Sequence, residues 1–205
     1  SESRKKDKAF VKYEKQINNM TYFLILAFYF VTTQPKNHEE IIQSNEEFRA
    51  EMTAEFADSA ETPLTEEGLA TFTALPFFDI DTAFYIVAKF EKAIDAETFE
   101  MKTTTDRKPI YKLFGTATFN MHGEVFTLNI FQNQKLIERD EYKDFLFLPF
   151  TDLTGGEECY AGGRFIDLHI PEGDEIVIDF NKAYNPLCAY NHKYSCPIPP
   201  AENFL

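Results

Sequence analysis

The chain has 205 residues, 44% of them hydrophobic, with 22 phenylalanines and no tryptophan, which is enough apolar material for one domain with a sizeable core. Its formal charge of −14 argues against nucleic-acid binding through phosphate neutralisation. The acidic balance suits solubility, or a cationic or neutral ligand, without specifying one.

Residues 1–19, SESRKKDKAFVKYEKQINN, are polar and basic. The apolar run that follows, residues 22–31, is too short to span a bilayer as a helix, so no stable membrane span is expected in the mature chain. A basic leader, a short apolar core and small residues after it form a secretory signal pattern, with Val31 and Thr33 at the −3 and −1 positions and cleavage before Gln34. Met20 is a second candidate start, which would make the upstream residues an over-extended frame. The competing assignment is a buried strand, YFLILAFYF. The expectation is a signal peptide or over-extended start over residues 1–33, followed by a single domain over 34–205. That domain would be exported, periplasmic or secreted, or cytoplasmic if residues 20–33 are not a signal.

Residues 39–56, EEIIQSNEEFRAEMTAEF, place Ile42, Phe48, Met52 and Phe56 near helical spacing, with Ile41 and Ala50 partly sharing that face, and predict one amphipathic helix. Pro63 breaks any continuation, and Thr65 is an N-cap for a short helix over residues 66–72. Residues 74–78, ALPFF, form a buried turn. The pattern then turns to β. Strands are predicted over residues 83–90, 99–103, 111–120, 124–132, 145–150, 163–170 and 175–180. His122-Gly123 is a tight turn between two of them. Within YKLFGTATFN, Tyr111, Leu113, Ala117 and Phe119 share a face, and Phe114 is out of pattern. Pro149 is expected to end the FLFLPF strand. Residues 171–174, Pro-Glu-Gly-Asp, read as a hairpin turn. The fold class is mainly β (α+β): an antiparallel barrel-like or sandwich sheet, one N-terminal amphipathic helix and an extended C-terminal strap.

Two irregular stretches stand apart from this scaffold. Residues 155–165, GGEECYAGGRF, form a glycine-rich loop entering a strand. Gly162-Gly163 permits positive φ and close approach of backbone N–H groups to an anion, and Arg164 adds a fork for a carboxylate or phosphate. The competing explanation is an internal ion pair of Arg164 with Asp152, Asp167 or Asp179, with the glycines serving a turn. The second stretch is residues 179–203, DFNKAYNPLCAYNHKYSCPIPPAEN. Cys188 and Cys196 admit a disulfide, buried free thiols, a weak metal site or a nucleophile with His192 as base. Asp167 and His169 share one strand face, as an orienter and base would, although alternation alone explains them.

The residues PFTDLT (149–154), Tyr160 with Gly163-Arg164-Phe165, DFNKAYNPLCAY (179–190) and CPIPPAEN (196–203) resemble the prokaryotic family known as domain of unknown function 1684. The resemblance extends back through residues 75–78 and 111–133. Cys159 stands where that family has Thr, and Phe165 where it has Tyr. Relatives continue with a short strand beyond residue 205, which implies a truncated C-terminus. The resemblance implies no known cofactor, and it favours buried thiols or a site role over the disulfide, because some relatives without export signals keep both cysteines.

The leading functional expectation is an exported β domain that binds a small polar or anionic ligand. Its pocket would comprise Gly162, Gly163, Arg164, Tyr184, Asn185, Tyr190 and Asn203. The alternatives are a hydrolase- or transferase-type enzyme using the same pocket, with Cys188, Asp152 or Glu202 as the reacting group, and a purely structural closure of the barrel.

Overall fold

The computed structural model describes residues 36–205. The expected leader therefore lies outside the described residues. No helix among them is long and apolar enough to cross a membrane.

Helix α1 spans His38–Ala57 and α2 spans Glu66–Thr71. Thr65 caps α2 as expected, its hydroxyl accepting the Gly68 N–H at 3.0 Å. The buried stripe of α1 is rotated from the predicted one. Ile41, Asn45 and Phe56 are buried, Asn45 completely, whereas Ile42, Phe48 and Met52 are only half-buried. A polar residue at the centre of the packed face is what the apolar periodicity missed.

Seven strands follow: β1 (Tyr85–Lys92), β2 (Thr98–Glu100), β3 (Ile110–Met121), β4 (Glu124–Asn133), β5 (Phe145–Phe150), β6 (Arg164–His169) and β7 (Glu175–Asp179). All pairings are antiparallel, in the order β6-β5-β4-β3-β1-β7, with β2 also on β3. The β3–β4 turn is as predicted. His122 (φ 54°) and Gly123 (φ 88°) both take left-handed conformations, the signature of a two-residue primed turn.

Residues 171–174 are not a hairpin turn. β6 and β7 are the two edges of the sheet, and β7 pairs with β1 instead, Val87 opposite Val177. Six chain steps from His169 to Glu175 reach at most about 21 Å, whereas the edges of a flat six-stranded sheet stand about 24 Å apart. The sheet therefore has to curl, and it forms a half-barrel.

Two apolar clusters lie on its two faces. The concave face gathers Phe90, Phe119, Leu128, Ile130, Leu148, Ile166 and Ile178 among others. The convex face carries Tyr111, Phe131, Phe147 and Phe165, and the C-terminal segment covers them with Cys188 and Cys196. β5 is thus buried on both sides, which explains its unbroken apolar sequence. Phe114 joins the concave core because a bulge interrupts the β3–β4 register between Leu113 and Gly115. A Cβ on Gly115 would lie 2.6 Å from the Glu91 carbonyl oxygen, so only glycine fits beside the bulge.

Pro149 does not end β5. It sits inside the strand opposite Phe165. On its other side, the β4–β5 register pairs Phe131 with Phe147, and continuing it sets Asn129 opposite Pro149, which has no N–H to give. The Asn203 carboxamide fills that place. Its Oδ1 accepts the Asn129 N–H at 2.8 Å, and its Nδ2 donates to the carbonyls of Asn129 (2.8 Å) and Pro149 (2.7 Å). Asn203 is completely buried. Its own carbonyl accepts the Thr151 N–H at 3.0 Å, so the strap is stitched to the end of β5.

Candidate ligand-binding cleft

The antiparallel order brings the C-terminal ends of β3, β5 and β7 and the N-terminal ends of β1, β4 and β6 to the same end of the half-barrel. A cleft of about 520 Å³ opens there, within the size range of small-molecule sites. α1 contributes Arg49 and Met52, and the segment after α2 contributes Leu75, Phe77 and Phe78. Met121 and His122 come from the β3–β4 hairpin. Asp152, Thr154 and Arg164 come from the glycine-rich loop and its flanks. Phe180, Asn181, Tyr184, Asn185 and Tyr190 come from the chain after β7. The walls are mainly aromatic and aliphatic, with a few polar groups set among them.

Arg164 and Asp152 form one of those polar points. Their ion pair is largely buried, with side-chain exposures of 14% and 16%. The guanidinium is also held between the rings of Phe78 and Phe150, each 5.2 Å from its carbon. The other Asp152 oxygen accepts the backbone N–H of Thr154 at 2.9 Å and its hydroxyl at 2.5 Å. Burial alone would raise the Asp152 carboxyl. The Thr154 hydrogen bonds and the Arg164 charge outweigh it and hold the group below the usual Asp value. Of the sequence-level alternatives for Arg164, the geometry matches the internal pair with Asp152.

The Asp-Phe-Asn start of the C-terminal segment builds the adjoining wall. Asp179 accepts the Asn45 side-chain amide at 2.8 Å and, through its other oxygen, the Asn181 amide at 2.8 Å. Asn181 in turn holds both the N–H and the carbonyl of Asp81. This network fastens α1 and the entry to β1 onto the end of β7.

Arg49 lies one turn beyond Asn45 on the same helix face, and sequence reasoning missed both. Its guanidinium stands 4.9 Å over the Phe77 ring. One nitrogen, Nη2, reaches the Asn181 carbonyl at 3.4 Å, a long bond, and the buried Nε has no hydrogen-bond partner. Among the described residues no carboxylate lies within ion-pair distance of it. Desolvation lowers its pKa, opposed only by the more distant charges of Asp179 and Asp79. The available signal was a polar residue at i+4 and i+8 from Ile41 in a helix whose packed face is otherwise apolar.

Tyr190 packs edge-on against Phe56 of α1, ring centres 4.9 Å apart, and burial raises its pKa. Asn185 accepts the Tyr160 N–H at 3.4 Å, linking the two irregular stretches. Tyr184 donates its hydroxyl to Asp167 at 2.6 Å, and desolvation followed by that carboxylate keeps its proton on well above the usual range. Asp167 is therefore engaged with Tyr184, while His169 pairs with Asp144 at 3.0 Å; the two do not act as one couple.

The remaining predicted site residues lie elsewhere. Gly163 (φ 89°) gives its N–H to Tyr160 at 3.1 Å, and a Cβ there would lie 2.5 Å from the Phe150 oxygen. Its role is a tight turn packed on β5, and neither it nor Gly162 lines the cleft. Asn203 does not line the cleft either; it is the strand mend described above. Glu202 is exposed in the turn before it. Cys188 and Cys196 are buried free thiols on the convex face rather than a disulfide. The Cys188 N–H donates to the Cys196 sulfur at 3.1 Å, and burial pushes the Cys196 thiol up to about 11. No hydrogen bond joins His192 to either thiol among the described residues. No group of three or more His, Cys, Asp or Glu side chains among them is placed to hold a metal ion.

The model of a family described as protein of unknown function (DUF1684) matches residues 70–205. The chain belongs to the DUF1684 family. Among solved structures it is similar to the solution NMR structure of an uncharacterized protein from gene locus rrnAC0354 of Haloarcula marismortui, at 32% identity and a TM-score of 0.64, covering 82% of this chain and 90% of that one. No curated protein matches it. In this DUF1684 chain the signature residues divide into two groups. Asp179, Gly163 and Asn203 build the fold, Asp152, Arg164, Tyr184, Asn185 and Tyr190 line the cleft, and Asn181 does both. Phe165, where the resemblance leads one to expect Tyr, is buried against Phe147 at 4.8 Å between ring centres.

Proposed function

We propose that this DUF1684 domain binds a small molecule with a substantial apolar body in the cleft at the open end of the half-barrel. The observation that carries the proposal is convergence. Segments far apart in sequence (α1, the 75–79 segment, the glycine-rich loop and the chain after β7) meet around one cavity of about 520 Å³ walled by Met52, Phe77, Met121 and Phe180. Ligand sites combine such apolar walls with a few orienting polar groups, here Arg49, Asn185 and Tyr190. Arg164 shapes the wall through Asp152 instead of offering a free charge.

Titration with the neutral dye Nile red tests this. Saturable binding is expected at one dye per chain, abolished by Met52→Trp and by Met121→Trp, which fill the cavity. Unchanged binding in both variants would remove the cleft as the site.

Export is the second part of the proposal, supported by the basic residues 1–19 ahead of the apolar run 22–31. Fusing residues 1–35 to alkaline phosphatase, which is active only after export in bacteria, checks it. An inactive fusion would return the domain to the cytoplasm.

A further inference from the structure

The polar groups around the cleft are unequal in how far their hydrogen-bonding capacity is used. Asp152 and Arg164 satisfy each other, with Thr154 completing the carboxylate. Asn181 is consumed by Asp81 and Asp179. Arg49 is the exception. A guanidinium carries five N–H donors in a planar fork, and here one long bond at 3.4 Å is made while the buried Nε–H has no acceptor. The Nε is enclosed by protein, so an acceptor brought by a ligand meets the Nη donors instead, and it stabilises a charge partly withdrawn from water and without a carboxylate within ion-pair distance among the described residues.

The surroundings restrict that acceptor. The walls beside Arg49 are Met52 and Phe77, so the molecule needs an apolar body. Asp79 and Glu158 line the same cleft as exposed residues and would repel a dianionic head more than a singly charged one. A planar carboxylate matches the guanidinium fork with two parallel hydrogen bonds. We infer that the ligand is an amphipathic monocarboxylate, its head group paired with Arg49 and its hydrocarbon or aryl body lying on the floor formed by Met52, Met121 and Phe180. This rests on the cleft being the binding site, as proposed above.

The test uses the full chain with ¹³C-methyl methionine and ¹⁵N labelling, and decanoate, decanol, butyrate and decyl phosphate as probes. Met52 and Met121 line the cleft, while Met101 is buried in the convex-face cluster and serves as an internal control. Decanoate is expected to shift the Met52 and Met121 methyl signals saturably and to move the Arg49 Nε–H signal, leaving Met101 in place. Butyrate, with the same head and little body, is expected to bind far more weakly. Arg49→Gln should weaken decanoate by about 10- to 100-fold, the range for a charged hydrogen-bonded pair, and decanol by less than about threefold.

The outcomes separate the two claims. Equal binding of decanol and decanoate with the Arg49 Nε–H signal unmoved would overturn the carboxylate inference and leave the cleft standing, as would decyl phosphate binding more tightly than decanoate. If none of the four probes shifts Met52 or Met121, and Nile red binding also survives both Met52→Trp and Met121→Trp, the cleft itself is lost. The Arg49 signal is read in the wild-type chain, so the inference stays testable even if Arg49→Gln does not fold.

Discussion

The loop wall of the cleft and its helix wall each present an arginine to the same cavity, and they differ in how the charge is answered. Arg164, at the start of β6, meets a carboxylate and two aromatic faces supplied by the chain itself. Arg49, on α1, meets one ring and one distant carbonyl. The contrast separates architecture from readiness. A polar group whose partners are complete stabilises the fold and has little left for a ligand; one with open donors stabilises little and keeps its capacity for something that arrives. Asn203 is the limiting case of the first kind, buried and saturated.

That contrast can be broken by measuring stability. The largest effect is expected at Asn203. Replacing it with Ala leaves the Asn129 N–H and the carbonyls of Asn129 and Pro149 without partners in a buried place, costing about 4 kcal/mol at the usual penalty for such groups. A urea midpoint close to wild type would show that β4 and β5 close the gap without it. Arg164→Ala comes next, at about 3 kcal/mol, because a largely buried Asp152 loses its counter-ion.

The pH dependence sharpens this second case. The folded-state Asp152 value lies below the ordinary one, so its contribution is complete above the unfolded-state range and is lost as pH falls through the folded value. Wild type should therefore lose urea resistance below about pH 4, and Arg164→Ala should show a weaker acid-side slope. Equal slopes would mean that the ion pair does not hold the Asp152 proton off. Arg49→Gln should be the mildest, within about 0.5 kcal/mol of wild type. A loss at Arg49 comparable to that at Arg164 would erase the distinction between the two walls.

The sequence is legible where the determinants are local. Thr65 caps its helix, His122-Gly123 makes its turn, and strand alternation separates Phe165, Asp167 and His169 from Ile166 and Leu168 as expected. Phe114 broke the alternation, and the bulge beside Gly115 is why. The misread features are those settled by distant partners. Pro-Glu-Gly-Asp has every mark of a hairpin turn, yet β7 finds its pairing partner in β1, some 90 residues earlier in the chain. Asn203 reads as a polar ligand group until Pro149 is placed beside it. Asn45 and Arg49 hide in a helix rich in glutamate, where the apolar stripe drew attention to their neighbours. The loop and the C-terminal segment stand out in the sequence and supply part of the cleft lining, whereas the helix that supplies Arg49 and Met52 reads there only as packing.

Pro149 has one more consequence. The run Phe145–Phe150 is six apolar residues with strong strand propensity, and before folding nothing covers either of its faces. Such a segment is a ready template for cross-β stacking between chains, and a proline within it denies the stack one backbone donor in every layer. The same missing N–H would leave a hole in the native sheet. Asn203 supplies the substitute from elsewhere in the chain and only in the folded arrangement, so the strand is poorly suited to self-association while the chain is open and fully bonded once it has closed.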